Sequence, residues 1–238
     1  YAPTTSGYNG GTWGTYAYGS VNMQDLTDTI KHLQDQHDDY FYNVPDAFTV
    51  VNTGKSWLVD VHQDWTTGSL VYKGSLIVEE GTYDEGLQDF VYDEYLIDCP
   101  SIAENGPSNV KVAFAPDGMT GYIVTLNDDG SVPFSEGAYY PMVYKTIDGG
   151  ENWDEPVGVA IGGPDGIASI VYDWLSDEDL EAFFEPPIPA RDEILYTTSF
   201  DFDLVVDAQG NPHIAVVIGI GSGEYSIYSP ANYIAAFD

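Results

Sequence analysis

Basic residues are nearly missing from this chain: Lys and Arg number 6 against 39 Asp and Glu, for a formal net charge of −33. A surface charged in this way repels phosphate backbones and anionic headgroups, which makes nucleic acid and acidic membrane poor partners. Arg191 is the one arginine. A site that grips a carboxylate with several guanidinium forks is therefore excluded from these residues. Cysteine is as scarce. Cys99 stands alone, so the chain has neither an internal disulfide nor a cysteine-based zinc site. One thiol in a chain this long suits a bacterial exported protein that does not rely on disulfides. No apolar run approaches the roughly 18 residues of a membrane-spanning helix. No basic leader with an apolar core opens the sequence, which starts at Tyr1. That start reads as a processed product or a piece of a longer polypeptide.

What is present points to strands. Hydrophobic residues make up 43% of 238 and aromatics 14%, including 19 Tyr and 5 Trp. That is enough for a core, and broad rings pack well across pleated sheets. Residues 1–45 read as an irregular, Gly- and Tyr-rich segment, possessing one short helix where Leu26, Ile30 and Leu33 fall at helical spacing and Asp25 or Thr27 caps. This segment also reads as the end of a preceding repeat. From 46 the pattern turns to short strands in three groups, at about 46–99, 109–162 and 200–238. Between the last two, at 173–192, lies an acidic helix capped by Ser176 and a Pro186–Pro189 connector that is forced to be extended.

The groups open alike. VAFAPDGMTGYIV and LVVDAQGNPHIAV share an apolar strand, an Asp near a turn, a Gly (Gly118 or Gly210) and a second apolar strand. A repeat of one four-stranded antiparallel unit predicts an all-β fold, a β-propeller with about three blades legible. Three blades do not close a ring, so the reading favours a fragment of a larger propeller.

One motif is specific. Thr146-Ile147-Asp148-Gly149-Gly150-Glu151-Asn152-Trp153 fits Ser/Thr-x-Asp-x-Gly-x-x-Trp. Here an Asp accepts turn amides, Gly150 takes a backbone conformation that a side chain would block, and the Trp folds back over the hairpin. The segment resembles the Asp box of sialidase-like (BNR-repeat) propellers. The resemblance implies a turn between the third and fourth strands of a blade, with Thr146, Asp148, Gly150 and Trp153 in structural roles away from any active face. It also implies that Gly210-Asn211-Pro212-His213 opens the second strand of a blade. Sialidase chemistry in that family uses three arginines, which this chain lacks, so catalytic residues of that kind would lie outside it.

Other constellations are weaker. Asn127, Asp128 and Asp129 in one acidic turn, and Asp201, Asp203 and Asp207 around one strand, are the candidate Ca²⁺ ligands, set against ordinary turn chemistry. Among the histidines, His32 and His37 share no helix face. His62, with Asp60 and Asp64, is the weak transition-metal candidate, and His213 reads as structural. Tyr8, Trp13, Tyr16, Tyr18, Tyr139 and Tyr140 could stack on sugars, against a packing role. The expectation is a secreted or cell-surface, non-catalytic module that binds an extracellular glycan or protein or helps to build a surface assembly. The alternatives are part of a sialidase-like hydrolase and a Ca²⁺-stabilised structural repeat.

Overall fold

The computed structural model describes residues 2–3, 16–34, 47–64, 69–133, 135, 137–163, 166–167, 176–221 and 235–237. These form small antiparallel sheets with one short α-helix, in two compact units that divide after Pro100.

In the first unit, β1 (Ala2–Pro3), β2 (Tyr16–Asn22) and β3 (Asp25–Gln34) make a three-stranded sheet. The helix expected around Leu26–Leu33 is therefore a strand. Tyr16 to Val21 pair in sequence with Gln34 to Thr29. Thr27, Thr29 and Ile30 are branched at Cβ and favour the extended backbone over a helix. The Asp25 carboxylate does not cap a helix but accepts from Thr27 N (3.1 Å) and Thr27 Oγ1 (2.7 Å) at the start of the strand.

A second sheet follows as a meander of β4 (Ala47–Val50), β5 (Lys55–Asp64), β6 (Val71–Asp84) and β7 (Asp89–Asp98). Alternation puts Ala47, Val59 and Val78 in one cross-strand row, flanked on that face by Trp57 and by Val61 with Leu76, all buried. On the other face the Tyr92 ring covers Gly81, where an added Cβ would lie 2.6 Å from Tyr92 Cε1. Buried Cys99 donates its amide to Gly74 O (2.9 Å), and its carbonyl accepts from the Tyr72 hydroxyl.

The second unit holds β8 (Asn109–Phe114), β9 (Gly121–Asn127), β10 (Tyr140–Thr146) and β11 (Val157–Gly158), again a meander. Its other sheet is β12 (Tyr196–Val206), β13 (Pro212–Ile220) and β14 (Ala235–Phe237). This last group starts at Tyr196, earlier than the expected 200, because a register shift between Thr198 and Phe202 lets β12 continue pairing with β13 beyond it. Three strands of it lie among the described residues. Helix α1 (Asp177–Phe183) has the expected cap: Ser176 Oγ accepts from Asp179 N and the Asp179 carboxylate accepts from Ser176 N, both at 3.1 Å.

The opening hairpin recurs in all three strand groups. In β4–β5, Val51 N donates to Lys55 O (3.0 Å) and Gly54 N to Val51 O (3.2 Å). In β12–β13, Asp207 N donates to Asn211 O (3.0 Å) and Gly210 N to Asp207 O (3.1 Å). In β8–β9, one residue longer, Ala115 N donates to Thr120 O (2.8 Å) and Gly118 N to Ala115 O (2.9 Å). Each turn passes through a left-handed glycine, with φ of 84° at Gly54, 71° at Gly118 and 81° at Gly210. This is the backbone form of the repeat visible in the sequence, and it fits a residue without a Cβ.

Candidate functional site

The most constructed local feature is the β10–β11 turn. Thr146, buried at the end of β10, donates its hydroxyl to Asp148 Oδ1 (2.8 Å). The Thr146 hydroxyl oxygen in turn accepts from Gly150 N (3.0 Å). Asp148 then accepts from Asn152 twice, from the backbone N at Oδ1 (3.0 Å) and from Nδ2 at Oδ2 (2.8 Å). These bonds, first the Asn152 side chain, then its backbone and Thr146, hold the Asp148 carboxyl below the usual carboxylate range. Gly149 and Gly150 have φ of 75° and 90°. Gly149 N reaches Met119 O (2.9 Å), which seats this turn on the β8–β9 turn. The half-buried Trp153 ring meets Phe114 edge-on, with centroids 6.0 Å apart and planes at 75°. Phe114 in turn lies over its cross-strand partner Gly121, where a Cβ would come within 2.3 Å of the ring. Thr146, Asp148, Gly150 and Trp153 are thus brought together around one turn.

A second clamp of the same kind closes the β12–β13 turn. Asp207 Oδ1 accepts from Gln209 N and Asn211 N (both 2.8 Å), and Oδ2 from Asn211 Nδ2 (2.9 Å). His213 Nε2 lies 3.3 Å from that second oxygen. The Asn211 side-chain and backbone bonds lower the Asp207 carboxyl to about 2. Gly210 sits against Thr120, and its carbonyl accepts from the Tyr122 hydroxyl (2.9 Å). The three turns thus share one end of the second unit.

The other end carries the Asn127–Asp129 turn, and its carboxylates serve the backbone. Asp128 Oδ1 accepts from Gly130 N (2.9 Å) and Oδ2 from Gly137 N (3.3 Å). Asp129 Oδ1 accepts from Ser131 N (2.9 Å) and from the Tyr140 hydroxyl (2.7 Å). Burial pushes the Asp129 carboxyl up, but the Ser131 and Tyr140 bonds outweigh it and leave it lowered. Burial, with Asp129 next, raises the Tyr140 phenol.

The candidate cation ligands are not brought together. Asn127, Asp128 and Asp129 sit at the β9 end. Asp201 and Asp203 are exposed on β12, with Asp201 Oδ1 near Asn109 Nδ2 (3.4 Å) and Lys111 Nζ (3.7 Å), and Asp207 is in its clamp. Among the described residues no three His, Cys, Asp or Glu side chains gather in a metal-holding group. The carboxylates of Asp128, Asp129 and Asp207 instead accept backbone amides of their own turns. His62 Nδ1 faces Ser75 Oγ (2.8 Å), while Asp60 accepts from Val61 N (2.8 Å) and Asp64 pairs with Lys73 (2.9 Å). Arg191 pairs with Asp177 (2.8 Å).

The aromatic candidates divide as well. Tyr140 is 1% exposed, so it does not offer a face to a sugar. Tyr139 is half-buried, and its backbone joins the two sheets: Tyr139 N donates to Thr197 Oγ1 (3.0 Å), and Tyr139 O accepts from Thr198 N (2.9 Å) and Thr198 Oγ1 (3.0 Å). Tyr16, Tyr18 and His32 are placed by backbone alone, in β2 and β3. Tyr8, Trp13 and His37 lie outside the described residues. Sequence reasoning missed the Phe114–Gly121 pair and the Tyr139 bridge. The first had a signal in Gly121 directly opposite a bulky residue across a short hairpin, while the second had none.

No protein-family model matches the chain, and no curated protein sequence is significantly similar to it. No helix among the described residues is long and apolar enough to cross a membrane.

Proposed function

We propose that the small sheets are blades of an Asp-box β-propeller, and that this module acts outside the cell by binding a partner, with no chemistry of its own. The observation that carries the proposal is the recurrence of one opening hairpin in three strand groups, together with a complete Thr146–Asp148–Trp153 box at the third turn of one of them. Radial repetition is one way for such small antiparallel sheets to bury their faces without long edges. The non-catalytic part is supported by the site chemistry. The one arginine is paired with Asp177, and the carboxylates of Asp128, Asp148 and Asp207 hold turn amides rather than facing each other as an acid–base pair. The extreme negative charge suits a partner reached through water, with cations or salt around it.

Two measurements test the proposal. An experimental structure of the chain should place the sheets around a common axis. Sheets stacked face to face as a sandwich would end the propeller part. In solution, the purified chain should bind immobilised extracellular ligands saturably while releasing no product from sialosides or aryl glycosides. Turnover that co-purifies with the chain would end the binding-module part.

A further inference from the structure

A tyrosine held at the surface keeps an apolar ring face and a polar tip in water, the combination that recognises amphipathic ligands. The β6–β7 hairpin holds such a ring. Tyr83 stands directly opposite Phe90 in the ladder, and their rings meet edge-on, with centroids 5.4 Å apart and planes at 68°. Phe90 is half-buried, while Tyr83 is 42% exposed. Phe90 also meets Tyr92, with centroids 6.2 Å apart. Tyr92 is engaged with the sheet itself: its ring covers Gly81, and its hydroxyl accepts from Ser56 Oγ (3.4 Å). The backbone of Tyr83 is tied to the β4–β5 turn, since Tyr83 N donates to Gly54 O (2.9 Å). Tyr83 and Phe90 therefore form a corner of two rings held in place by the sheet, with Tyr83 at the surface.

The turn that joins the two strands adds polar groups. Asp84 Oδ1 accepts from Gly86 N (2.7 Å) and Leu87 N (2.9 Å), which fixes the carboxylate beside Tyr83. Gln88 is exposed and, among the described residues, is the one non-glycine residue with positive φ, at 55°. Glycine would take that conformation without cost, and residues that bear a side chain there cluster at binding sites. The side chain so displayed is an amide, with two donors and an acceptor.

We propose that this corner of the β6–β7 hairpin is a binding site for a neutral, soluble glycan chain. The proposal rests on the binding-module reading and gives it a ligand class and a place. The C–H face of a pyranose lies on Tyr83, with Phe90 closing the corner, and Asp84 and Gln88 bond its hydroxyls. Charge chooses among sugars: with a net charge of −33, and with Asp84 and Glu85 exposed beside the ring, carboxylated and sulfated glycans are repelled. Shape chooses as well. Two planes at 68° fit one ring of a chain in solution, whereas the flat face of a crystalline polysaccharide needs coplanar rings.

The test titrates the whole chain with cellohexaose, laminarihexaose and mannohexaose, and with hexagalacturonate as the anionic counterpart. At least one neutral hexaose should bind saturably, with an affinity unchanged between about 20 and about 300 mM salt. Hydrogen exchange should slow across residues 83–90 when it binds. Tyr83→Ala should weaken binding by about tenfold, whereas Tyr83→Phe keeps the ring and should stay within about twofold. Gln88→Gly should weaken binding several-fold while raising the melting temperature, and a purely structural Gln88 would move the melting temperature alone. If Tyr83→Ala folds poorly, Tyr83→Phe, Gln88→Gly and the exchange map still decide. Binding that survives Tyr83→Ala in a folded chain, or that protects only residues outside 83–90, would overturn the site and leave the binding-module reading standing. Tighter binding of hexagalacturonate or of crystalline cellulose, or no binding of any neutral hexaose, would overturn the ligand class. Release of shorter sugars that Tyr83→Ala abolishes would support the corner and end the non-catalytic reading instead.

Discussion

The β10–β11 turn and the β12–β13 turn carry the same clamp on different foundations. In each, an aspartate accepts the backbone amide and the side-chain amide of an asparagine four residues on, Asn152 for Asp148 and Asn211 for Asp207. Beneath the first lie buried Thr146 and the Trp153 ring against Phe114. The second is completed by His213 and is docked through Gly210 on Thr120. The difference teaches that the clamp is a local device, encoded within five residues. The aromatic lid is what connects a turn to the core of its sheet.

If that is right, the largest effect belongs to the lid. Trp153→Ala should cost about 2–3 kcal/mol, less than a fully buried Trp because the ring is half-exposed, and should lower the urea midpoint. An effect below half of that would mean that the lid is decoration. Next comes Thr146→Val, which leaves the buried Gly150 amide without its acceptor and should cost about 1–2 kcal/mol by the same assay. Below it stands Gly210→Ala, at about 1 kcal/mol for a side chain forced to positive φ, with a Cβ 3.2 Å from Thr120. Gly54→Ala has a similar φ and an ordinary 3.7 Å contact with Tyr83, so it should cost less, and the opposite order would contradict the docking of Gly210.

The smallest effect is electrostatic. Both clamp carboxyls are lowered on folding, Asp207 to about 2. The stabilisation from Asp207 is therefore complete above about 4 and is lost as the pH falls through about 2. In about 0.5 M salt, which screens the acidic surface, Asp207→Asn should melt below the parent chain at neutral pH. That difference should close between about pH 4 and pH 2. A constant difference across that window would show that the clamp is not held by the charged form.

What was legible in the sequence follows the range of each interaction. The strands of the second and third sheets, the Ser176 cap and the Thr146–Asp148 turn bonds all arise between residues close in sequence, which is why local pattern announces them. The hairpin of β2 and β3 was misread because Leu26, Ile30 and Leu33 satisfy helical spacing. What decided their conformation was the pairing with Tyr16–Val21 across the turn, which periodicity does not register. Composition counts the carboxylates of the acidic turns and not the amides aimed at them. The Tyr140 hydroxyl between Asp128 and Asp129 is a tertiary contact, and no local pattern announces it.

The Tyr139 bridge has a mechanical consequence. Its amide and carbonyl are both held by β12, so strand β10 enters its sheet already fastened to the neighbouring one. Peeling either sheet away first requires rupture of these bonds at Thr197 and Thr198. The two sheets of the second unit should therefore open as a single cooperative foldon, with the amides of β10 and β12 exchanging at one common rate.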